Sequence, residues 1–183
     1  IKNNDYINYF NNNIKNNTNF NFMYDYFQEE EITTILHKRL TDNMKNIIDK
    51  NPYNKRYKNN NDLFIHIRLT DTKKWNVGID YFIHCINSLK YDNIYVASDN
   101  FNDDLIKEIK TLYPSIIFFE NNPIQTIQFG STCKNIILSH GSFSAVIGYL
   151  AFFSNVYFKN KESGYYPLGP LGMFKNKGFI PVT

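Results

Sequence analysis

Cysteine is scarce: Cys85 and Cys133 are the only two in 183 residues. Two isolated thiols make no disulfide framework, and without a Cys-x-x-Cys or a paired His spacing they supply no structural zinc set. Both fall in apolar periodic segments and are expected as buried free thiols. Glycine-rich phosphate loops are missing as well. Neither G-x-x-x-x-G-K-[ST] nor G-x-G-x-x-G occurs, which argues against a P-loop and against the usual dinucleotide fold. No uncharged apolar run approaches the roughly eighteen residues of a membrane span, and no signal peptide opens the chain. The expectation is a soluble domain with no membrane span, the cytoplasm being the favoured compartment. Because the first residue is Ile1 rather than Met, an upstream domain of a longer polypeptide is expected. Charge of one sign is not in great excess: 20 Lys+Arg against 17 Asp+Glu give a net +3. The lysines are scattered rather than striped and the aromatics sit at core-like spacings, so no nucleic-acid partner is expected.

What is present is the composition of a folded chain. Apolar residues make up 43% and aromatics 17%, enough for a core, and the length suits about one domain. Residues 1–61 read as an Asn-rich N-terminal segment with one helix. Residues 1–21 lack a period, and then Glu29, Glu30 and Glu31 open a helical pattern of Ile32, Ile35, Leu36, Leu40, Met44, Ile47 and Ile48. That pattern stops near Lys50, ahead of Asn51-Pro52. In residues 62–183 short apolar strands (63–69, 94–98, 116–119, 135–138, 156–158) alternate with helical patterns (79–89, 105–112, 126–134, 142–153). Such alternation implies βαβ units and therefore an α/β, Rossmann-like parallel sheet with helices on both faces. Residues 164–183, with several prolines and glycines, are expected as an ordered loop tail.

The stretch around which the rest is arranged is Leu63-Phe64-Ile65-His66-Ile67-Arg68-Leu69-Thr70-Asp71. A strand period of two puts Phe64, His66 and Arg68 on one face and Leu63, Ile65 and Ile67 on the other. The polar groups arrive at the carboxyl end of the strand, the rim where open α/β sheets bind ligands. A cation closing an apolar strand needs an anion. A phosphate suits the planar fork of Arg, and Asp71 offers the alternative of a structural carboxylate partner.

Two more strands end in polar groups. Tyr95-Val96-Ala97-Ser98-Asp99 closes on a hydroxyl and a carboxylate. Leu138-Ser139-His140-Gly141-Ser142-Phe143-Ser144 leads a strand into a helix through Gly and Ser. The latter makes a nest of backbone N–H groups at a helix N-terminus, an anion site; Ser142 or Ser144 could equally serve as a plain N-cap. Ser139, His140 and Asp99 resemble a hydrolase triad only in composition, because the G-x-S-x-G elbow is absent. His37 and His84 lie within helical patterns and are assigned no chemistry.

Taken together, these landmarks resemble the donor-binding half of the α1,2-, α1,6- and protein-O-fucosyltransferase superfamily. His66-Ile67-Arg68-Leu69-Thr70-Asp71 resembles H-x-R-R-[GT]-D. Tyr95-Val96-Ala97-Ser98-Asp99-Asn100 resembles a strand ending S/T-D-D. Cys133-Lys134 through Ser144, with Gly148-Tyr149-Leu150, is similar to C-K-x-x-I-x-x-N-S-S-F-S-W-W-x-A-x-L, and Tyr26-Phe27-Gln28-Glu29-Glu30 is similar to Y-F-Q-x-E-K. The resemblance covers residues 22–158 and keeps order and spacing.

It implies a GT-B type, inverting, metal-independent transferase that carries fucose from GDP-fucose, or a sugar from another nucleotide sugar, to a glycan acceptor, with no cofactor besides the donor. On the matching positions, Arg68 holds the β-phosphate and His66 helps hold the nucleotide. Ser139, Ser142, Phe143 and Ser144 form the phosphate segment, and Asp99 closes the second motif. Asp71, the nearest carboxylate, is either a catalytic base or the partner of Arg68. Departures fall at Leu69, Asn100, Ala145 and Val146. Thr126 stands where the family has the Asp that contacts guanine; either Glu120 substitutes for that carboxylate or guanine selectivity is relaxed. The glycine-rich opening of the family's N-terminal half, G-G-x-G-N-Q, is not in this sequence. The rival expectation is a catalytically inactive carbohydrate- or partner-binding module derived from the same fold.

Overall fold

β1 (Leu63–Ile67) is buried along its whole length because both of its faces are covered. In the computed structural model, which describes residues 30–71, 73–160, 172–175 and 178–183, Leu63, Ile65 and Ile67 pack into one core and Phe64 into a second on the other side of the sheet. The period-two reading of this strand is thus borne out. Flanking it are β2 (Ile94–Ser98), β3 (Ile117–Phe118), β4 (Asn135–Ile137), β5 (Asn155–Lys159) and β6 (Phe179–Val182). All neighbours pair in parallel, in the order β3-β2-β1-β4-β5-β6. Strand order reverses between β1 and β4, and at such a switch point the two following connections diverge and open a crevice at the carboxyl rim.

Helices cover both faces. On the first, α3 (Ile79–Asn87) and α4 (Asp104–Leu112) bring Phe82, Ile86, Ile106 and Ile109 against Leu63, Ile65 and Ile67. On the second, α5 (Pro123–Gly130) and α6 (Ser142–Leu150) bring Phe129, Ala145 and Ile147 against Phe64, Ile136 and Val156. Before the sheet, α1 (Glu30–Asp42) starts on Glu30 and Glu31, whose charges suit a helix N-terminus, and packs on α6 and on the 3₁₀ turn Gly172–Phe174. The turn Asn54–Arg56 then ties this segment to the amino rim of the sheet. Arg56 pairs with buried Asp62 at 2.6 Å, donates to Thr132 Oγ1 and lies 4.4 Å from the centre of the Phe129 ring. Cys85 and Cys133 are buried free thiols as expected, burial pushing the first up to about 11 and the second up to about 12.

Five features differ from the sequence reading. The N-terminal helix breaks at Asn43 (φ −104, ψ 14), a poor helix former, and resumes as α2 (Met44–Asp49). α5 starts at Pro123 rather than at Thr126, because Asn122 caps it by accepting from Gln125 N and Pro suits the first turn. It also stops earlier, at Gly130, and α6 ends at Leu150. Part of the expected loop tail is a strand: Phe179–Val182 adds to β5 with Pro181 opposite Phe158, which an edge position tolerates because a missing N–H can face outward. The aromatic segment at residues 22–29, the unstructured reading of residues 1–21 and the tail residues 161–171 lie outside the described residues.

Gly130 is fixed by close approach. A Cβ there would lie 2.5 Å from the ring of Phe64, which is fully buried and packs edge-on against the stacked pair Phe119 and Phe129. Gly130→Ala is therefore expected to cost about 1–3 kcal/mol through overpacking. Urea denaturation checks this, and an unchanged midpoint contradicts it.

Candidate functional site

The site is assembled by the loops that leave β1, β2 and β4. Arg68 follows β1 directly, and its backbone N–H donates to Ser139 Oγ at 3.3 Å, joining the loop after β1 to the loop after β4. Ser139 also shares a hydrogen bond with His140 Nδ1 at 3.2 Å, and both residues are buried. Because residues 64, 66 and 68 share a face, His66 and Arg68 both point toward the start of α6.

At that start no side chain provides a cap. The N-cap is Gly141 with φ +94, which corrects the alternative of Ser142 or Ser144 as the capping residue. A side chain here would be strained, and its Cβ would come within 3.1 Å of Arg68 Nη1. The glycine thus lets the guanidinium lie against the helix N-terminus, where first-turn N–H groups and the helix dipole attract anions. Ser142 is exposed at the first helical position, while Ser144 is fully buried and bonds His66 Nδ1 at 2.5 Å.

Arg68 is oriented by a fork. Its Nε and Nη2 both donate to Asp71 Oδ1, at 3.1 and 3.0 Å, and Nη2 also reaches Oδ2 at 2.8 Å. Nη1, on the other side of the guanidinium, is the group that faces Gly141. The hydrogen bonds from Arg68 hold the Asp71 carboxyl below the usual carboxylate range. An exposed carboxylate so engaged is a weak proton acceptor at neutral pH, so the geometry favours the partner role of Asp71 over the catalytic one.

His66 is only 6% exposed, and its ring lies on Phe143 with centroids 4.9 Å apart. Burial depresses its pKa from 6.5 to about 4; the nearby charge of Asp99 opposes this, and Arg68 and His140 add to it. The imidazole is therefore neutral at physiological pH and offers one donor and one acceptor, one of its nitrogens being engaged by Ser144.

A pocket of about 360 Å³ opens beside this cluster. Of the residues expected at the site, His66, Arg68, Asp99, Thr126 and Phe143 line it. Ser139 and Ser144 stand behind it as buried supports, and Ser142 and Asp71 are not in its lining. Asp99 contributes to the wall, but both its oxygens already accept from Leu69 and Thr70. Glu120 lines the far end with Thr126. Sequence reasoning missed Phe101, Phe119, Asn121 and Pro123, which complete that end. Phe119 and Asn121 could have been found from the rule that picked out Arg68, since they follow the carboxyl end of β3. Phe119 N donates to Val96 O at 2.8 Å, which fixes the strand end from which Glu120 emerges.

Two departures have packing explanations. Leu69 is buried in the core under β1, and Asn100 builds the turn after β2, its N–H donating to Ser98 Oγ and its side-chain carbonyl accepting from Asn102 N.

Compared with known proteins, the sequence matches a family model, glycosyl transferase family 11, over residues 4–165. No curated protein matches it. Among solved structures it is similar to the fucosyltransferase NodZ from Bradyrhizobium, with 13% identity and a TM-score of 0.38 over 61% of this chain and 41% of that one. It is also similar to the NodZ alpha-1,6-fucosyltransferase soaked with GDP-fucose, with 10% identity and a TM-score of 0.39 over 67% of this chain and 47% of that one. POFUT1 in complex with GDP gives 14% identity and a TM-score of 0.43 over 70% of this chain and 49% of that one. The chain spans less than half the length of each of these structures.

The neutral, buried His66 predicts a specific acid sensitivity. Its pKa is near 6.5 unfolded and about 4 folded. Between those values only the unfolded state gains the proton, so stability is full above pH 6.5 and falls as pH drops toward 4, by on the order of 3 kcal/mol. Denaturant melts of wild type and His66→Gln across this range check it. The wild type is expected to lose more stability on acidification than the variant, and parallel curves contradict the prediction.

Proposed function

The chain belongs to glycosyl transferase family 11, and from that premise we propose that it is the donor-binding part of an inverting fucosyltransferase that takes GDP-fucose and needs neither metal nor cofactor. The observation that carries the reading is the approach of Arg68 Nη1 to the uncapped start of α6. In the transfer, an acceptor hydroxyl of a glycan attacks the anomeric carbon from the face opposite the nucleotide and gives up its proton to water. The bond from that carbon to the β-phosphate oxygen breaks, and negative charge collects on the leaving diphosphate. A guanidinium and N–H donors that are already in place lower that barrier without reorganisation. They also supply the positive charge for which a divalent cation would otherwise be recruited. His66 and Phe143 form the wall beside the phosphates, and Asp71 keeps the fork of Arg68 turned so that Nη1 faces the anion.

The remote end of the pocket suits a base. Phe101 and Phe119 offer apolar rings, Thr126 a hydroxyl, and Glu120 a carboxylate at the mouth. A carboxylate accepting from the N1 and N2 hydrogens of guanine favours that base over one without them, because the wrong base forfeits two charge-assisted hydrogen bonds. In this reading Glu120 takes the part that Thr126 cannot play. The rival reading, an inactive binding module, was motivated by the residues at Leu69, Asn100 and Thr126. The first two have folding roles away from phosphate chemistry, which weakens that motive.

Titration calorimetry with GDP tests the phosphate assignment. Arg68→Ala is expected to weaken GDP about ten- to a hundredfold, the effect of losing a charge-assisted contact. No binding by wild type, or equal binding by the variant, overturns it. Release of GDP from GDP-fucose should persist in EDTA; glycan binding with no turnover of donor supports the inactive module instead.

Competition among GDP, UDP and dTDP tests the base assignment. A preference for GDP above about tenfold, lost in Glu120→Gln, is expected. A smaller preference in wild type, or one that survives the substitution, refutes the role of Glu120.

A further inference from the structure

Resting on the reading that Arg68 takes a phosphate, we propose that Asp99 is a positioning residue for Arg68 and does not itself contact the nucleotide. The register places Ser98 opposite Ile67, so β1 and β2 end side by side and Asp99 faces the chain just beyond Arg68. Its Oδ1 accepts from Leu69 N at 2.6 Å, and its Oδ2 accepts from Thr70 Oγ1 at 2.6 Å and Thr70 N at 3.3 Å. One carboxylate thus gathers the donors of the two residues that follow the arginine.

The consequence for the guanidinium is geometric. Arg68 is paired with Asp71, three residues on, so the direction of the fork is set by the backbone of the turn between them. That turn is held from below by Leu69 in the core and from the side by Asp99. A second strut comes from the same β2–α4 connection: Lys73 Nζ pairs with Asp103 Oδ2 at 2.5 Å, and the buried Asp103 also caps α4 by accepting from Leu105 N. Asn76 Nδ2 closes the loop by donating to Arg68 O at 3.2 Å. Nη1 faces Gly141, where an added Cβ would come within 3.1 Å of it. A displacement of about 1 Å suffices to cost a positioned group most of its effect.

Direct contact with the diphosphate is unfavourable for Asp99 on charge. Two anions in one pocket repel, whereas an anion that organises a cation from behind works with it. The remaining competitor is a ribose hydroxyl donating to Asp99, and the test separates the two by using a ligand without phosphates.

GDP and guanosine are titrated into wild type, Arg68→Ala, Asp99→Ala and the double variant. Asp99→Ala is expected to weaken GDP by about tenfold or more, to change guanosine less than about twofold, and to have no further effect once Arg68 is gone. Equal losses for the two ligands mean that Asp99 holds the nucleoside, and independent losses in the double variant mean that it does not act through Arg68; either overturns the proposal. Thr70→Ala, which deletes only the hydroxyl donor, replaces Asp99→Ala if the latter does not fold and carries the same expectation at smaller size. Should wild type bind neither ligand, the proposed function fails, and the positioning role is then read from the Arg68 Nε–H resonance by NMR. That signal is expected to be sharp in wild type and exchange-broadened in the Asp99 or Thr70 variant; an unchanged signal overturns the proposal.

Discussion

A guanidinium laid against the N-terminus of a helix is an arrangement of like electrostatic sign, and the rest of the site follows from holding it together. Arg68 Nη1 and the first turn of α6 both present positive potential to the same small volume. Left to itself such a pair would separate. The fold prevents this by placing β1 beside β4, so that the ends of the two strands cannot move apart without breaking the sheet. Ser139 adds a bond to the Arg68 backbone, and Asp71 supplies the compensating charge from the solvent side. Gly141 is the price of closeness: a larger residue would be strained at φ +94 and would push the guanidinium away. An anion bound alongside both positive groups relieves the repulsion, which is why the arrangement reads as a receptor for phosphate.

The buried polar groups around this centre obey the same constraint. His66 sits beside Arg68 in a desolvated place, and both influences drive it to the neutral form. A neutral ring can pack on Phe143 and bond Ser144 without adding a second cation to the pocket. Far from the site, at the opposite rim of the sheet, Arg56 and Asp62 form a different kind of pair. There the charges are matched, and Thr132, Asn93 and the Phe129 ring complete the shell. That pair anchors the N-terminal segment, whereas the cation at the carboxyl rim, Arg68, has its carboxylate partner on the exposed side and keeps Nη1 turned toward α6.

Much of this was legible in the residues, because strands buried on both faces have a strong signature. The run from Leu63 to Asp71 announced both its faces and its polar end, and parallel order followed from alternation with helices. Less legible were features decided by a partner distant in sequence. Ser144 reads as a cap or a phosphate ligand; it does not cap α6, and its hydroxyl bonds the buried His66. Asp99 read as a binding residue, yet its oxygens are engaged by the neighbouring loop. Local signals were also outweighed. Pro181 argued for loop, but an edge strand accommodates it, and the start of α5 was set by Asn122-Pro123 rather than by the apolar period that begins later. Phe101 and Pro123 carry no chemical signature of their own and become lining residues only through the pocket they enclose.

The central claim is that the cation at the end of β1 and the start of α6 act together on one diphosphate. A structure of the chain with GDP bound tests it most directly. The account predicts the β-phosphate within about 3 Å of Arg68 Nη1 and of at least one N–H among Ser142, Phe143 and Ser144, with the base at the end of the pocket lined by Phe119, Glu120 and Thr126. GDP lodged elsewhere, or a diphosphate that touches neither Arg68 nor the first turn of α6, contradicts it.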